Sequence, residues 1–372
     1  MALDLSQPNA PQARPVLQRQ VPPEVLAKFR KHERDQRDRE RLYGKVRDII
    51  STEFNGRRVI AVGNELHHSP AWRTFPDFLL YYLRKIVTDV FGAAWFNQQA
   101  QLAEERRHPI ALWLEGWYAF TQRNTVDVDG IFSGVPDGPA AACINLAYDL
   151  YTVRNQVGLQ VTVLKRLQHI PNFQGARYEL QVTATMCRAG FSVEFEDDSD
   201  VSRSHPEFIA SDPETGSRFA VEAKSRRRPG VLGEPHRVQA SEVIQLGITR
   251  LFKSALGKRP ELPFLIFIDL NLPPDLAARL EEWRGEFDHM LATQIDGKNA
   301  NGEVVGVPFA ALFLTNLPHH YGLPGEKDPP KLGLTTVPIY PERGLPQSVI
   351  DRIEAALSQY GNIPSVLPSQ DE

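Results

Sequence analysis

A run of five apolar residues at positions 264–268, Phe-Leu-Ile-Phe-Ile, constrains the fold more than any other feature of the sequence. A strand that is apolar on both of its alternating faces is covered on both sides, which is typical of α/β sheets. Further strand patterns alternate with helical patterns in this half of the chain, at 191–195, 207–210, 218–224 and 309–314. The sequence therefore predicts a mixed α/β sheet with helices on its faces.

The first half of the chain is dominated by helical patterns, which follow one another from 75 to 169 with one short strand pattern at 57–62. Its first residues are rich in proline and have no apolar period, which predicts a flexible arm. We therefore expect four parts: a flexible arm at 1–22, a mostly helical domain at 23–170, a second domain at 171–345, and a C-terminal helix with its tail at 346–372.

Charge and composition limit the possible functions. The 42 Lys and Arg residues face 46 Asp and Glu residues, a net charge of -4, so a nucleic-acid site must be a local basic patch. No apolar run approaches the roughly 18 residues of a membrane span. Residues 1–20 are polar and rich in proline, so we do not expect them to be a secretory signal. Two cysteines do not support a disulfide framework or a cysteine-based zinc site. We expect a cytoplasmic protein without a membrane partner.

The residues that carry chemistry lie on two neighbouring strand patterns. Glu222 and Lys224 are two residues apart, so on a strand both side chains point to one face. A turn signal at 212–216 would pair this strand with the preceding one and bring Glu207 beside Glu222. Two converging carboxylates suit Mg²⁺ or Mn²⁺, and a lysine beside them can hold a water or stabilise charge on a phosphate.

This arrangement resembles the PD-(D/E)XK nuclease superfamily. Pro206-Glu207 stands at the Pro-Asp position of the family pattern, Glu222-Ala223-Lys224 stands at the Asp/Glu-x-Lys position, and Glu179 would be the acid of the preceding helix. The resemblance covers about residues 170–320. One departure is that Glu207 replaces the usual Asp, and its side chain reaches one methylene further toward a metal.

The resemblance implies a restriction endonuclease-like fold and a metal-dependent nuclease that hydrolyses phosphodiester bonds, most readily in DNA. The implied metal ligands are Glu207, Glu222 and the backbone carbonyl of Ala223. Lys224 would orient the attacking water, and Glu179 would bind a second metal or its water shell. Polar residues of the next helix often support such a site, and Gln239 and Gln245 are the candidates here.

Two basic segments are candidates for contacts with a phosphate backbone. Arg226, Arg227 and Arg228 directly follow the Glu-x-Lys triplet, where a phosphodiester would approach. Residues 28–47 lie in a helical pattern and carry nine Lys or Arg against four Asp or Glu. The simpler interpretations are a solvated loop for the first segment and a solvated helix with mixed-sign pairs for the second.

Several alternatives stay open from the sequence. The triplet could belong to a surface hairpin with a salt bridge, and Asp212 competes with Glu207 as the second acid. The protein could be a non-catalytic nuclease-fold module that binds nucleic acid or assembles with partners, or a metal-free α/β interaction protein. A partner protein or a second copy of the chain would use the N-terminal helical region. His108 at a helix start favours capping or packing over catalysis.

Overall fold

The computed structural model describes residues 23–124, 134–196, 205–227, 247–271, 309–316, 332–336 and 344–367, together with residue 289. The backbone divides into two units, Met1–Arg41 and Leu42–Glu372. The expected flexible arm at 1–22 lies outside the described residues. The boundaries at 170 and 345 stay predictions.

Helix α1 (Pro23–Tyr43) carries seven of the nine basic residues of the segment 28–47. Lys45 and Arg47 follow the helix, so the expected helical pattern extended too far beyond Tyr43. Side chains of α1 make contacts within the helix: Arg37 Nε donates to the Glu33 carbonyl at 3.1 Å, and Asp38 and Arg41 form an ion pair at 3.6 Å. Such exposed pairs stabilise a helix only slightly. These contacts favour the solvated-helix interpretation.

A small antiparallel sheet follows, with strand order β1-β2-β3. The strands are β1 (Ile50–Phe54), β2 (Arg57–Val62) and β3 (Glu65–Ser69). Asn55 and Gly56 connect the first two with positive φ angles of 49° and 70°, the values that a two-residue type I′ hairpin requires. Only β2 was expected from the apolar pattern, because the outer face of this sheet exposes apolar side chains such as Leu66.

Helices α2 to α6 surround one apolar cluster, and they are α2 (Phe75–Phe91), α3 (Trp95–Ala100), α4 (Pro109–Arg123), α5 (Gly138–Gln156) and α6 (Val161–Gln168). Thr74 and Asp77 form a capping box that fixes the start of α2. His108 caps α4, because its Nδ1 accepts a hydrogen bond from the Ile110 N–H at 3.2 Å. The expected mostly helical character is confirmed over these residues. None of the described helices is long and apolar enough to cross a membrane.

The second half forms a six-stranded sheet with the order β4-β5-β6-β7-β8-β9. Its strands are β4 (Ser192–Phe195), β5 (Phe208–Ser211), β6 (Arg218–Ser225), β7 (Phe264–Asp269), β8 (Ala311–Asn316) and β9 (Leu332–Thr336). Strands β6, β7 and β8 run parallel, and the other neighbours pair antiparallel. The mixed α/β class is therefore confirmed.

Different helices cover the two faces of this sheet. Helices α7 (Ile170–Arg188) and α9 (Gln347–Ser358) pack on the face that carries Val221 and Ala223, whereas α8 (Ile248–Leu256) packs on the face that carries Ala220. All six residues of β7 are buried, as the apolar run predicted. Because side chains alternate along β6, Glu222 and Lys224 belong to the α8 face.

A buried ionic network connects α5 with α7 and with Tyr360, which follows α9. Asp149 of α5 is fully buried and pairs with Arg177 at 2.8 Å and with Arg188 at 2.6 Å, both on α7. The Tyr360 hydroxyl donates to Asp149 Oδ2 at 3.0 Å and accepts from Arg177 Nη2 at 2.6 Å. Two arginines and one aspartate leave this network with a net positive charge, which makes the Asp149 carboxylate indispensable to it.

Candidate functional site

The hairpin of β5 and β6 places the two rival acids, Asp212 and Glu207, at opposite ends of β5. At the turn, Asp212 accepts hydrogen bonds from the Glu214 N–H and from Thr215 Oγ1, and it pairs with Arg352 at 3.0 Å. This is the turn role expected of an aspartate. At the opposite end of β5 the Glu207 N–H donates to the Val221 carbonyl at 3.0 Å. Of the two rival acids, Glu207 is therefore the one beside the Glu-x-Lys triplet.

Glu207, Glu222 and Lys224 meet near the carboxyl end of β6, and we call them the acid–lysine cluster. Lys224 Nζ forms a close ion pair with Glu222 Oε1 and lies 3.5 Å from Glu207 Oε1. Glu222 is fully buried, whereas the Glu207 and Lys224 side chains each retain 21% of their exposure. The structure thus brings together the three side chains that the strand spacing and the turn predicted.

A second lysine, which the sequence did not indicate, reaches the same carboxylate. Lys258 Nζ lies 3.8 Å from Glu222 Oε1. It follows α8 in the turn before β7, so only the packing of α8 on the sheet brings it to β6. The one local feature of the sequence that could have indicated this lysine is the Lys-Arg pair directly after Gly257, the glycine that ends α8.

Burial and the neighbouring charges act against each other on Glu222 and Lys224. Burial raises the pKa of Glu222 to about 7, although the Lys224 ammonium opposes the rise. Burial alone would lower the pKa of Lys224, but the carboxylates of Glu222 and Glu207 outweigh it, and the pKa is raised. Lys224 therefore stays protonated at neutral pH, and the two acids face two ammonium groups.

The donor set suits a hard divalent cation. Among the described residues nothing donates a hydrogen bond to Glu222 Oε2, a buried carboxylate oxygen that normally requires a partner. Carbonyls two residues apart on a strand point to the same side, so the Ala223 carbonyl is directed with that of Val221 toward the β5 side. Two carboxylates and a carbonyl are oxygen ligands of the kind Mg²⁺ and Mn²⁺ take. Within the part of the chain that the structure describes, no group of three or more His, Cys, Asp or Glu side chains is arranged for a metal.

Glu179 lies on α7 and not on the hairpin that carries the acid–lysine cluster. Its carboxylate forms a close ion pair with Arg166 of α6. Its helix, α7, packs on the face opposite to the one that carries Glu222. The ion pair with Arg166 joins two helices, and the role of Glu179 as an acid of the site stays a prediction.

The predicted basic segment of Arg226, Arg227 and Arg228 begins directly after β6. The Arg226 N–H donates to the Asp269 carbonyl at 2.9 Å, and the Arg226 carbonyl accepts from Asn271 Nδ2 at 3.1 Å, so its backbone is fixed to the end of β7. Arg227 is exposed beside it. Arg228, Gln239 and Gln245 lie outside the described residues.

Comparison of the chain with family models, with curated proteins and with solved structures found no match. The resemblance to the PD-(D/E)XK nuclease superfamily therefore stays a prediction from Glu179, Pro206-Glu207 and Glu222-Ala223-Lys224.

Proposed function

We propose that the protein is a metal-dependent nuclease with a restriction endonuclease-like fold, which hydrolyses phosphodiester bonds in DNA at the acid–lysine cluster. One observation carries the proposal: Glu207 and Glu222 converge on Lys224 at the carboxyl end of a parallel strand. The order of helix, antiparallel hairpin, helix and parallel strand around this point supports the same family.

Glu207, Glu222 and the Ala223 carbonyl would hold Mg²⁺ or Mn²⁺. When bound, such an ion supplies positive charge at a phosphate oxygen and makes a coordinated water more acidic.

Lys224 would orient the attacking water and stabilise the negative charge that develops on the phosphate. In hydrolysis a water oxygen bonds to phosphorus, the bond to the leaving sugar oxygen breaks, and negative charge grows on the phosphate oxygens. A protonated lysine that two carboxylates hold in place is a preorganised hydrogen-bond donor to the phosphate oxygens on which that charge grows. Arg226, Arg227 and Arg228 would hold the flanking phosphates, because they follow the triplet in the chain.

The proposal is tested by measuring DNA cleavage and Mn²⁺ binding on the same preparations. Mg²⁺ and Mn²⁺ should support cleavage by the wild type, and Ca²⁺ should not. Lys224→Ala should abolish cleavage but retain Mn²⁺, because it removes a stabilising charge and no ligand. Glu222→Ala should lose both. Cleavage that persists unchanged in Glu222→Ala would place the activity elsewhere.

A second candidate function has an observation of its own. Lys224 and Lys258 together balance the two carboxylates, so with both acids ionised the two acids and two lysines sum to zero charge. Such a closed ionic cluster also suits a non-catalytic nuclease-fold module that binds nucleic acid or partner proteins. The same experiment separates the two: the module binds DNA without cleaving it under any cation, and Glu222→Ala leaves its DNA affinity unchanged.

A further inference from the structure

Lys258 has a fixed backbone at the end of α8. The Lys258 N–H donates to the Ala255 carbonyl at 3.0 Å, and the Gly257 N–H donates to the Lys253 carbonyl at 3.0 Å. The next residue, Arg259, has a φ of 46°, in the left-handed region that ends helices. A fixed main chain with a flexible four-carbon stem lets the ammonium move while its origin stays in place.

The Lys258 ammonium is held weakly compared with that of Lys224. Its distance of 3.8 Å from Glu222 Oε1 is beyond hydrogen-bonding range, and in the described part of the chain it donates no hydrogen bond. Lys224, in contrast, contacts both carboxylates. The Lys258 side chain retains 23% of its exposure, so solvent and a ligand can reach it.

The charges decide what this loosely held group does. With both acids ionised, two carboxylates and two ammonium groups cancel. A divalent cation that takes the Glu222 carboxylate repels a neighbouring ammonium, by about 2 kcal/mol at 4 Å even in bulk water. Lys258 responds more easily than Lys224, because its stem is flexible and among the described residues its ammonium faces one carboxylate, at 3.8 Å, whereas the Lys224 ammonium contacts two.

We infer that Lys258 is a second, exchangeable cation of the site. It neutralises Glu222 while no divalent cation is bound, and it moves to a phosphate oxygen of the nucleic acid when a divalent cation takes that carboxylate. This inference rests on the proposed function, since it assumes that Glu222 is a metal ligand. It also explains why a second lysine approaches a carboxylate that already has a partner.

The first test is a titration with Mn²⁺ alone, followed by electron paramagnetic resonance, on the wild type, Lys258→Gln and Lys253→Gln. Lys253 is an exposed lysine of the same helix and serves as the matched control. Lys258→Gln should bind Mn²⁺ about tenfold more tightly, because a competing charge is removed, and Lys253→Gln should bind as the wild type does. Unchanged or weaker Mn²⁺ binding by Lys258→Gln, in a wild type that binds Mn²⁺ and cleaves DNA, overturns the inference alone.

The second test measures the affinity for a short DNA duplex in Ca²⁺ at several salt concentrations. Lys258→Gln should lower the affinity and flatten the salt dependence by about 0.9, the value for one lost phosphate contact. Lys258→Arg should restore the slope. An unchanged slope in Lys258→Gln contradicts the phosphate contact. A wild type that binds neither Mn²⁺ nor DNA rejects the proposed function and the inference together.

Discussion

At the scale of single residues, the environment of a carboxylate separates Glu222 from the other acids of the hairpin. Glu214 is exposed, and its pKa is lowered by a hydrogen bond from Lys45 and by its charge, as in an ordinary surface ion pair. Glu222 is fully buried, and burial raises its pKa to about 7. A buried carboxylate with a perturbed pKa beside a second acid and a lysine is typical of functional sites, although structural ion pairs also perturb pKa values.

His108 gives a prediction about acid stability. Burial lowers its pKa from 6.5 to about 4, although the bond to the Leu167 carbonyl favours the charged form. Below pH 6.5 the unfolded chain binds a proton that the folded protein does not, so the stabilising contribution is complete above that pH and is lost as the pH falls. Between pH 6.5 and about pH 4 the free energy of unfolding should fall by about 3 kcal/mol through this histidine.

The measurement is urea unfolding at several pH values for the wild type and His108→Asn. Asparagine keeps a side-chain acceptor at the start of α4 but does not titrate, so it separates titration from capping. The wild type should lose stability more steeply than the variant as the pH falls below 6.5. Parallel curves would show that His108 does not stay neutral in the folded protein.

At the scale of elements, the sequence predicted those with a clear apolar period and missed those without one. Strands β5, β6 and β7 lie within a few residues of their expected positions, and helices α2 to α6 lie within the range from 75 to 169 where helical patterns were expected. Strands β1 and β3 were missed, because exposed Ile50, Phe54 and Leu66 remove the alternation between apolar and polar residues. The Asn55-Gly56 pair was a usable signal for the β1–β2 hairpin.

Two basic elements compete for the phosphate backbone, and the salt dependence of DNA binding distinguishes them. Each phosphate contact contributes about 0.9 to the slope, so replacing Arg226, Arg227 and Arg228 by Ala should flatten it by up to about 2.7. Mn²⁺ binding should be retained, because the carboxylates are untouched.

Deletion of residues 1–41 is the matched comparison for the triple variant. It removes most of α1 but leaves the Leu42 carbonyl, which accepts from Asn362, and the Lys45 N–H, which donates to Arg188. If α1 makes the main contact, the deletion flattens the slope and the triple variant binds as the wild type does, which discards the role of Arg226, Arg227 and Arg228.

At the scale of the whole molecule, long-range contacts are what the sequence could not supply. Local spacing brought Glu207, Glu222 and Lys224 together because one hairpin contains all three. Lys258 could not be predicted, since its approach to Glu222 depends on how α8 packs on the sheet. The contact between Asp149 and Tyr360 spans more than two hundred residues and has no local pattern.

The Asp149 network predicts a large effect on global stability. Asp149→Asn leaves Arg177 and Arg188 buried without a counter-charge and should lower the free energy of unfolding by about 3–5 kcal/mol. Tyr360→Phe removes two hydrogen bonds but no charge and should cost about 1–3 kcal/mol. Urea unfolding of both variants checks the order. An Asp149→Asn protein no less stable than Tyr360→Phe would show that the charge balance is unimportant.

The central claim is that the acid–lysine cluster hydrolyses phosphodiester bonds, and the single-turnover rate of DNA cleavage in Mg²⁺ tests it most directly. Glu222→Gln keeps the size of the side chain and removes the charge, and Glu194→Gln on the exposed edge strand is the matched control. We expect a loss of at least about 100-fold for Glu222→Gln, equivalent to the few kcal/mol that a metal site supplies, and a wild-type rate for Glu194→Gln. Equal rates for Glu222→Gln and the wild type would contradict the assignment of hydrolysis to the acid–lysine cluster.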